Sequence, residues 1–307
     1  MPPPAHPSIA IADPAARAPW LSGFATGRRG PLRRTVARAF ASATRLLRRT
    51  PPGAWMHGRL HGAIELELVG VGLAGAAAAL HGLRVAWISD LHAGHFMDEL
   101  DLHRLFERVA QAEPDLVCLG GDLINTHARE ALLLREPLRR LAGAPLGVWA
   151  VPGNHEYYDG SDLDVWRGVM EESGVEVLVN RGARVERGGA SLWVAGVDDL
   201  VEGEPDLERA LAGRTDGEPT LLLAHNPDCF HESAAAGVDL TLSGHTHGGQ
   251  IRVFGWSPML DSARGFVEGL YRSGDALLYV GRGAGVTVLP LRWGTRGEVT
   301  LLELRAP

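Results

Sequence analysis

The sequence predicts an α/β fold, because short apolar runs alternate with amphipathic segments of helical period from about residue 62 onward. The last third of the chain adds further short β-like runs, which indicate a second sheet. With 307 residues, of which 45% are hydrophobic and 22% charged, the chain has enough apolar material for a sizeable core. This composition excludes collagen-like, coiled-coil and wholly disordered proteins.

Charge divides the chain into residues 1–60 and residues 61–307. The first part carries ten Arg and one acid, Asp13, for a charge of +9, whereas the remainder carries −16, so that the net charge is −7. We therefore expect an Arg-rich, partly disordered N-terminal extension before one large domain. Because the large domain is acidic, long nucleic acid is an unfavourable substrate for it.

Within the extension, residues 31–50 predict a basic amphipathic helix, which Pro51-Pro52 should end. Among six Arg, four apolar side chains recur near helical spacing: Leu32, Val36, Phe40 and Leu47. A helix of this kind favours peripheral contact with an anionic membrane surface. The alternative is that its apolar stripe packs on the large domain.

The expected location is the cytoplasm, with peripheral membrane contact as the option that the basic helix raises. The two cysteines, Cys118 and Cys229, are too few for a disulfide framework, and free thiols fit a reducing compartment. The longest apolar run, residues 68–80, is shorter than the roughly 20 residues of a membrane span. Arg33-Arg34 could begin a twin-arginine export signal, but Arg45 interrupts the apolar segment that should follow, so export is less favoured.

The first predicted strand, residues 64–71, alternates apolar with acidic side chains, as an edge strand does, whereas the later ones are runs of apolar residues. Six more strands are predicted, in chain order, at residues 83–89, 115–119, 146–151, 192–197, 220–224 and 240–243. After residue 250, shorter β-like runs lie at residues 252–254, 277–280, 286–289 and 299–304.

The predicted helices lie between these strands. Residues 98–112 have helical period, and four apolar side chains share one face: Leu102, Leu105, Phe106 and Val109. Residues 129–141 and 163–173 are also predicted to be helical. Asn226-Pro227 is typical of a helix N-terminus and predicts a helix over residues 228–236.

Side chains that can bind metal or transfer protons follow five of the predicted strands, at the point where each strand ends. In chain order they are Asp90, His92, Asp122, Asn154, His155, His225, His245 and His247. Because ligand sites of open α/β sheets lie at the carboxyl ends of the strands, we expect these side chains to meet in one crevice. The glycines before them, Gly120-Gly121 and Gly153, let the backbone approach a metal closely.

The types of these side chains favour a two-metal site. Asp and Asn supply oxygen ligands and His supplies imidazole nitrogen, a mixture that suits Mn²⁺, Fe or Zn²⁺ better than Ca²⁺ or Mg²⁺. None of them is Cys, so a structural zinc cage is unfavoured. Two carboxylates opposite two divalent cations leave a surplus of about +2, which suits a phosphate group and a metal-activated water.

The order of these motifs resembles that of the calcineurin-like metallophosphoesterase superfamily. The matching blocks are Asp90-Leu91-His92, Gly121-Asp122, Gly153-Asn154-His155-Glu156, His225 and Gly244-His245-Thr246-His247. The extension to Gly248-Gly249-Gln250 resembles the bacterial branch of small phosphodiesterases that carries the GHTHGGQ motif. The resemblance covers about residues 63–304, and five blocks in order are far more specific than one short motif.

The resemblance implies a four-layer αββα sandwich of two mixed β-sheets flanked by helices, with residues 61–307 as the metallophosphoesterase catalytic domain. One implied metal is held by Asp90, His92, Asp122 and His247. The second is held by Asp122, Asn154, His225 and His245. His155 would face the phosphate and protonate the leaving oxygen, or stabilise the transition state. Many relatives have an acid or Arg where this chain has Asn125, which puts the surroundings of the ligands in doubt but not the ligands themselves.

The implied activity is hydrolysis of phosphodiester or pyrophosphate bonds in a small or lipid-linked substrate, by in-line attack of a hydroxide held by the two metals. A nuclease is one alternative, which the acidic domain and the scarcity of base-stacking aromatics oppose, although the basic extension could hold nucleic acid. A non-catalytic binding scaffold is another. All seven ligand positions are filled, and seven buried polar side chains without a metal would be left unpaired, which opposes the scaffold.

Overall fold

The computed structural model describes residues 43–44, 46–73, 78–160, 163–254, 256–257, 262 and 264–306. Within these residues, two mixed β-sheets of six strands each pack face to face, and helices cover their outer faces. The predicted α/β class and the four-layer αββα sandwich are confirmed. Most of the helix predicted over residues 31–50 lies outside the described residues.

The strands of the first sheet are β1 (Glu65–Gly72), β2 (Arg84–Ile88), β3 (Leu116–Leu119), β4 (Val148–Ala150), β5 (Val175–Val177) and β12 (Glu298–Arg305). Their order across the sheet is β1-β12-β2-β3-β4-β5. Because β2, β3, β4 and β5 are mutually parallel, their carboxyl ends lie at one edge. β1 pairs only with β12 and is an edge strand, as its alternating sequence predicts.

The strands of the second sheet are β6 (Arg181–Arg187), β7 (Ala190–Gly196), β8 (Thr220–Leu223), β9 (Leu240–Ser243), β10 (Gly269–Ser273) and β11 (Ala276–Val280). Their order is β10-β11-β9-β8-β7-β6. The central strands β7, β8, β9 and β11 are parallel, whereas β6 and β10 pair antiparallel with their neighbours at the two edges. This sheet therefore also gathers the carboxyl ends of its central strands at one edge.

The α-helices are α1 (Pro51–His61), α2 (Glu99–Ala110), α3 (Arg135–Leu138), α4 (Asp164–Glu172), α5 (Leu207–Leu211) and α6 (Phe230–Ala235). Asp98 caps the N-terminus of α2. Its side chain accepts the N–H of Asp101, while the Asp101 carboxylate accepts the N–H of Asp98. The apolar face predicted for this helix is buried.

The main core lies between the two sheets. Trp87 of β2, Leu221 of β8 and Tyr279 of β11 are all less than 4% exposed there. Each such side chain stabilises the fold by about 1.5–3 kcal/mol through removal of apolar surface from water. Phe106 and Trp166 bury the outer face of the first sheet beneath α2 and α4. Both sheets are thus covered on both faces, which leaves their strand ends as the places where polar side chains meet.

The predicted helix over residues 129–141 is divided into a 3-10 turn at Ala128–Leu133, the short α3 and a second 3-10 turn at Arg139–Leu141. The physical reason is Pro137, which has no N–H and whose ring would clash with the carbonyl of the preceding turn. The sequence therefore predicts helical structure at the correct position but not its division into three short elements.

Two β-like runs of the C-terminal third, residues 252–254 and 286–289, do not form strands and lie in loops. In the second run, the backbone of Thr287 and Leu289 forms hydrogen bonds with the side-chain amide of Gln250 instead of with a neighbouring strand. The prediction that the tail forms the second sheet was partly wrong, because β12 lies in the first sheet between β1 and β2.

Pro51-Pro52, which the sequence predicts as a helix stop, lies in the first turn of a helix. α1 starts at Pro51, and the Thr50 side chain caps it by accepting the N–H of Gly53 at 3.3 Å. The described end of the extension lies against the domain, since Thr44 Oγ1 is 2.9 Å from Nδ1 of His95. None of the described helices has the length and apolar character needed to cross a bilayer.

Candidate metal centre

The predicted side chains come together where the strand ends of the two sheets meet. Seven of the eight form three overlapping groups, in each of which the ligand atoms lie within 4.8 Å of one another. The groups are Asp90, His92 and His247; His92, Asp122 and His155; and Asp122, His225 and His245. Asn154 precedes His155 in the loop after β4, and every one of the eight is at most 8% exposed. The predicted single crevice is therefore present, and what its residues bind remains a prediction.

The backbone is strained where it presents five of these side chains. Asp90, His92, Asp122, His245 and His247 have φ between 48° and 71°, in the left-handed region that non-glycine residues seldom adopt. Such conformations cost about 1–3 kcal/mol each and persist where the surrounding structure enforces them, typically at functional sites. These five strained residues all lie just after a strand, where the predicted ligands are, and not within a strand.

The first group lies between β2 and β9. Nε2 of His92 and Nε2 of His247 are 3.0 Å apart, and Nε2 of His247 is 3.5 Å from Oδ1 of Asp90. The N–H of His245 donates to Oδ1 of Asp90 at 3.0 Å, which fixes the carboxylate. Two imidazole nitrogens that face each other beside a carboxylate form a donor set suited to a divalent cation.

Asp122 belongs to both of the other groups. Its Oδ2 lies 3.2 Å from Nε2 of His225 and 3.8 Å from Nε2 of His92, so that it contacts members of all three groups. Nδ1 of His245 lies 3.3 Å from Nε2 of His225. Nδ1 of His225 is 2.7 Å from the carbonyl oxygen of Gly120, which orients the ring and leaves Nε2 for a metal.

Asn154 provides a test of whether the residues fit a metal. Its Oδ1 is buried and has no hydrogen-bond partner within the described part of the chain, whereas its Nδ2 donates to the hydroxyl of Tyr158 at 2.5 Å. An unpartnered buried carbonyl oxygen costs about 1–3 kcal/mol. A cation beside Asp122 would remove that cost, so the donor set fits a divalent ion.

His155 takes a different position. Its backbone N–H donates to Oδ1 of Asp122 at 2.8 Å, and its Nδ1 bonds to the carbonyl oxygen of Asn125. Nε2 is then the atom that faces the crevice, 3.9 Å from Oδ2 of Asp122. The backbone carbonyl of Asn125 therefore orients His155, a role that the residue type at position 125 does not indicate.

Asp122 and its neighbour His225 are ionised groups of the site that hold opposite charges. Burial lowers the pKa of His92 and of His247 well below the ordinary value, so both rings are neutral, the form that binds metal. Although burial opposes both charges, contact between Asp122 and His225 holds the pKa of Asp122 well below its usual range and that of His225 well above. Burial raises the pKa of Asp90 to about 6. A cation would replace the proton on His225 as the counter-charge of Asp122.

Glu156 is a supporting residue to which the sequence assigned no role, although it stands in the G-N-H-E block. Its buried carboxylate accepts four backbone N–H groups, from Asp122, Leu123, Ile124 and Gly153, at 2.8–3.2 Å. Burial and the nearby Asp122 raise the pKa of Glu156, whereas its hydrogen bonds from the N–H groups of Gly153 and Ile124 lower it and favour the carboxylate. One side chain thus ties the loop after β3 to the loop after β4.

Arg292 is a second supporting residue that the sequence did not reveal. Its guanidinium donates to the carbonyl oxygens of His247 at 3.0 Å and of Gly285 at 2.7 Å. No local motif indicates it, because it lies 45 residues after His247. Glycine is required elsewhere in the site, since a Cβ on Gly153 would overlap Asp122 and one on Gly244 would overlap Asp90.

An αββα sandwich with this donor set at its strand ends defines a class of proteins, the metal-dependent phosphoesterases. The model of the calcineurin-like phosphoesterase family matches residues 83–249, and the chain belongs to this family. It is a metal-dependent phosphoesterase, as the motifs predict. Membership of the bacterial branch with the GHTHGGQ motif stays a prediction.

Relatives in several organisms carry the same family name. The metallophosphoesterase YkuE of Bacillus subtilis is 32% identical over 231 residues, which are 73% of this chain and 80% of that protein. A transmembrane protein with metallophosphoesterase domain from Danio rerio is 34% identical over 240 residues, 74% of this chain and 54% of that protein. A metallophosphoesterase of Helicobacter pylori is 34% identical over 229 residues, 72% of this chain and 60% of that protein. This chain thus spans little more than half the length of some relatives.

Among solved structures, a dimetal phosphatase from Danio rerio is a distant likeness. It has a TM-score of 0.41 and 13% sequence identity, covering 72% of this chain and 98% of that one.

Proposed function

We propose that the chain is a dinuclear metallophosphoesterase that hydrolyses phosphodiester or pyrophosphate bonds by in-line displacement. One divalent cation would be held by Asp90, His92, Asp122 and His247. The other would be held by Asp122, Asn154, His225 and His245. When bound, two cations of the Mn, Fe or Zn type would supply an activated water and stabilise the charge that develops on the phosphate oxygens.

The observation that carries this proposal is the position of Asp122. Its Oδ2 lies within 3.9 Å of the Nε2 atoms of three histidines, which themselves belong to different strand ends. A carboxylate shared in this way is suited to bridge two cations. The unpartnered Oδ1 of Asn154 and the facing nitrogens of His92 and His247 support the two flanking positions.

His155 would act on the substrate without holding metal. Its hydrogen bond to the Asn125 carbonyl fixes the ring, so that Nε2 can hold or deliver a proton at the leaving oxygen. The buried walls of the crevice exclude water and strengthen these interactions.

We further infer that residues 1–60 form an extension that touches a membrane surface from the cytoplasmic side, ahead of a catalytic domain at residues 61–307. The charge of +9 in the extension supports contact with anionic lipid. The acidic domain makes nucleic acid an unfavoured partner.

The test is a hydrolysis panel with metal-free protein to which Mn²⁺, Fe²⁺ or Zn²⁺ is added back. The substrates are bis-p-nitrophenyl phosphate, p-nitrophenyl phosphate, cyclic nucleotides, lipid-linked pyrophosphates and single-stranded DNA. We expect metal-dependent hydrolysis of the simple diester, stopped by a chelator. Preference for DNA would favour the nuclease alternative, and inactivity on every phosphate ester would favour the scaffold.

A further inference from the structure

Two loops in the C-terminal third expose an apolar surface, which we call the apolar rim. Its members are large apolar side chains that are at least 40% exposed: Val253, Phe254, Trp256, Val288, Leu289, Leu291 and Trp293. They are half of the fourteen exposed large apolar side chains among the described residues, so this exposure is concentrated rather than scattered. A concentrated exposed apolar surface is typical of an interaction site.

The apolar rim is held in its exposed form by hydrogen bonds. The Gln250 side chain accepts the N–H of Thr287 at 2.8 Å and donates to the Leu289 carbonyl at 3.0 Å. The N–H of Arg252 donates to the Trp293 carbonyl at 2.7 Å. These bonds join the two loops that carry the apolar side chains.

The apolar rim is attached to the metal centre. The N–H of Gln250 donates to the carbonyl of His247 at 3.0 Å. Arg292, which lies between Leu291 and Trp293 in the second loop, donates to the same carbonyl at 3.0 Å. A surface that covers the apolar rim would therefore lie beside the crevice.

The basic extension joins the domain next to the same crevice. Thr44 contacts His95, which follows His92 by three residues, and Arg48 forms an ion pair with Asp98. Residues 1–44 carry six Arg and one acid, Asp13, so the part of the chain that leads to this point is basic. Aromatic and aliphatic side chains that insert between headgroups, together with nearby Arg, are the two features of peripheral membrane binding.

We propose that the apolar rim docks on a bilayer that contains anionic lipid, and that the phosphate ester cleaved in the adjacent crevice belongs to a bilayer-anchored lipid. This inference rests on the proposed phosphoesterase function and names its substrate class. The basic segment favours a bilayer as the occupant, because residues 1–60, with a charge of +9, are complementary to anionic lipid.

The experiment compares the full-length, Mn²⁺-loaded chain with the double variant Phe254→Ser/Trp293→Ser. The control is Leu132→Ser/Val165→Ser, which removes two apolar side chains of 50% and 47% exposure outside the apolar rim. Binding is measured by co-sedimentation with vesicles of phosphatidylcholine and phosphatidylglycerol. Hydrolysis is measured on a p-nitrophenyl phosphodiester of diacylglycerol in those vesicles and on soluble bis-p-nitrophenyl phosphate. Cleavage of the lipid adds water across its P–O bond, releases p-nitrophenol and leaves phosphatidic acid.

We expect the Phe254→Ser/Trp293→Ser variant to bind vesicles about tenfold more weakly or worse and to lose vesicle hydrolysis in proportion, because two inserted side chains are lost. Its hydrolysis of the soluble diester should stay within about twofold, and the control should match the wild type. Unchanged vesicle binding by the rim variant would overturn the proposal. So would a wild-type dimer, seen by sedimentation velocity, that the rim variant dissociates. If the wild-type chain cleaves the soluble diester but neither binds vesicles nor cleaves the lipid in them, the membrane role alone is overturned. Inactivity on both substrates would overturn the proposed function as well.

Discussion

The carboxylate of Glu156 accepts the backbone N–H of Asp122 at 2.9 Å and so holds Asp122 in its left-handed conformation, with φ of 51°. The same carboxylate accepts the N–H of Gly153, which belongs to the loop that carries Asn154. Two strand ends are therefore fixed to each other by one buried side chain. Partners of this kind orient the residues that bind metal.

We expect Glu156→Gln to weaken metal binding by about 10- to 100-fold, because its amide nitrogen cannot accept the N–H groups that the carboxylate accepts. The measurement is metal affinity by titration calorimetry. Glu130→Gln is the matched control. Glu130 is also buried and accepts three backbone N–H groups, but those of Asn125, Thr126 and His127. Equal loss of metal affinity in both variants would show that Glu156 acts only on stability.

We expect His155→Ala to retain bound metal and to lose about 10²- to 10⁴-fold in turnover, because a positioned proton donor is removed. The loss should be smaller for esters with good leaving groups, which need little protonation. Steady-state rates on a series of aryl phosphodiesters measure this, with His231→Ala on α6 as the control. A loss of the same size across the series would contradict proton delivery and would leave charge stabilisation as the role.

We expect removal of residues 1–42 to leave hydrolysis of a soluble diester unchanged, because every motif lies beyond residue 89 and the contacts of Thr44 and Arg48 are kept. Vesicle binding should fall, and the difference should be larger at low salt, because surface charge is screened within about 8–10 Å at physiological ionic strength. Co-sedimentation at two salt concentrations is the measurement. Identical vesicle binding with and without residues 1–42 would show that the basic extension has no role in membrane contact.

We expect Glu218→Gln to destabilise the protein by about 1–2 kcal/mol at pH 7. The hydrogen-bonded ion pair with Arg184 lowers the pKa of Glu218 from 4.5 to about 2, against the effect of burial. This stabilisation is present above pH 4.5 and is lost as the pH falls through 2, so the difference from wild type should shrink at pH 3. Urea unfolding at the two pH values measures it, with the exposed Asp216→Asn as control. A difference that does not depend on pH would contradict the ion-pair origin.

The sequence predicted the strand ends well because each buried strand is a continuous apolar run that stops at a polar residue. Asp90 and His225 could be placed in one crevice from that pattern and from the rule that parallel strands share an edge. Arg292 could not, because its contact with His247 is set by the packing of loops far apart in the chain. Gln250 likewise binds backbone carbonyls that no periodicity marks, and so residues 286–289 looked like a strand.

The N-terminal prediction illustrates a different limit. Pro51-Pro52 predicts the end of a helix, yet proline is equally suited to the first turn of a helix, where its missing N–H costs nothing. The cap at Thr50 shows that α1 begins there, and the contact of His57 with Asp101, at 2.8 Å, shows that α1 packs on the domain.

The most direct test of the dinuclear site is the metal content of the wild-type chain and of Asp122→Ala, determined by elemental analysis after dialysis against Mn²⁺. Because Asp122 is the carboxylate proposed to touch both cations, we predict two metal ions per wild-type chain. We predict fewer than one in the variant, with loss of diester hydrolysis. Two metal ions per chain retained in Asp122→Ala would contradict the proposed bridging role of this carboxylate.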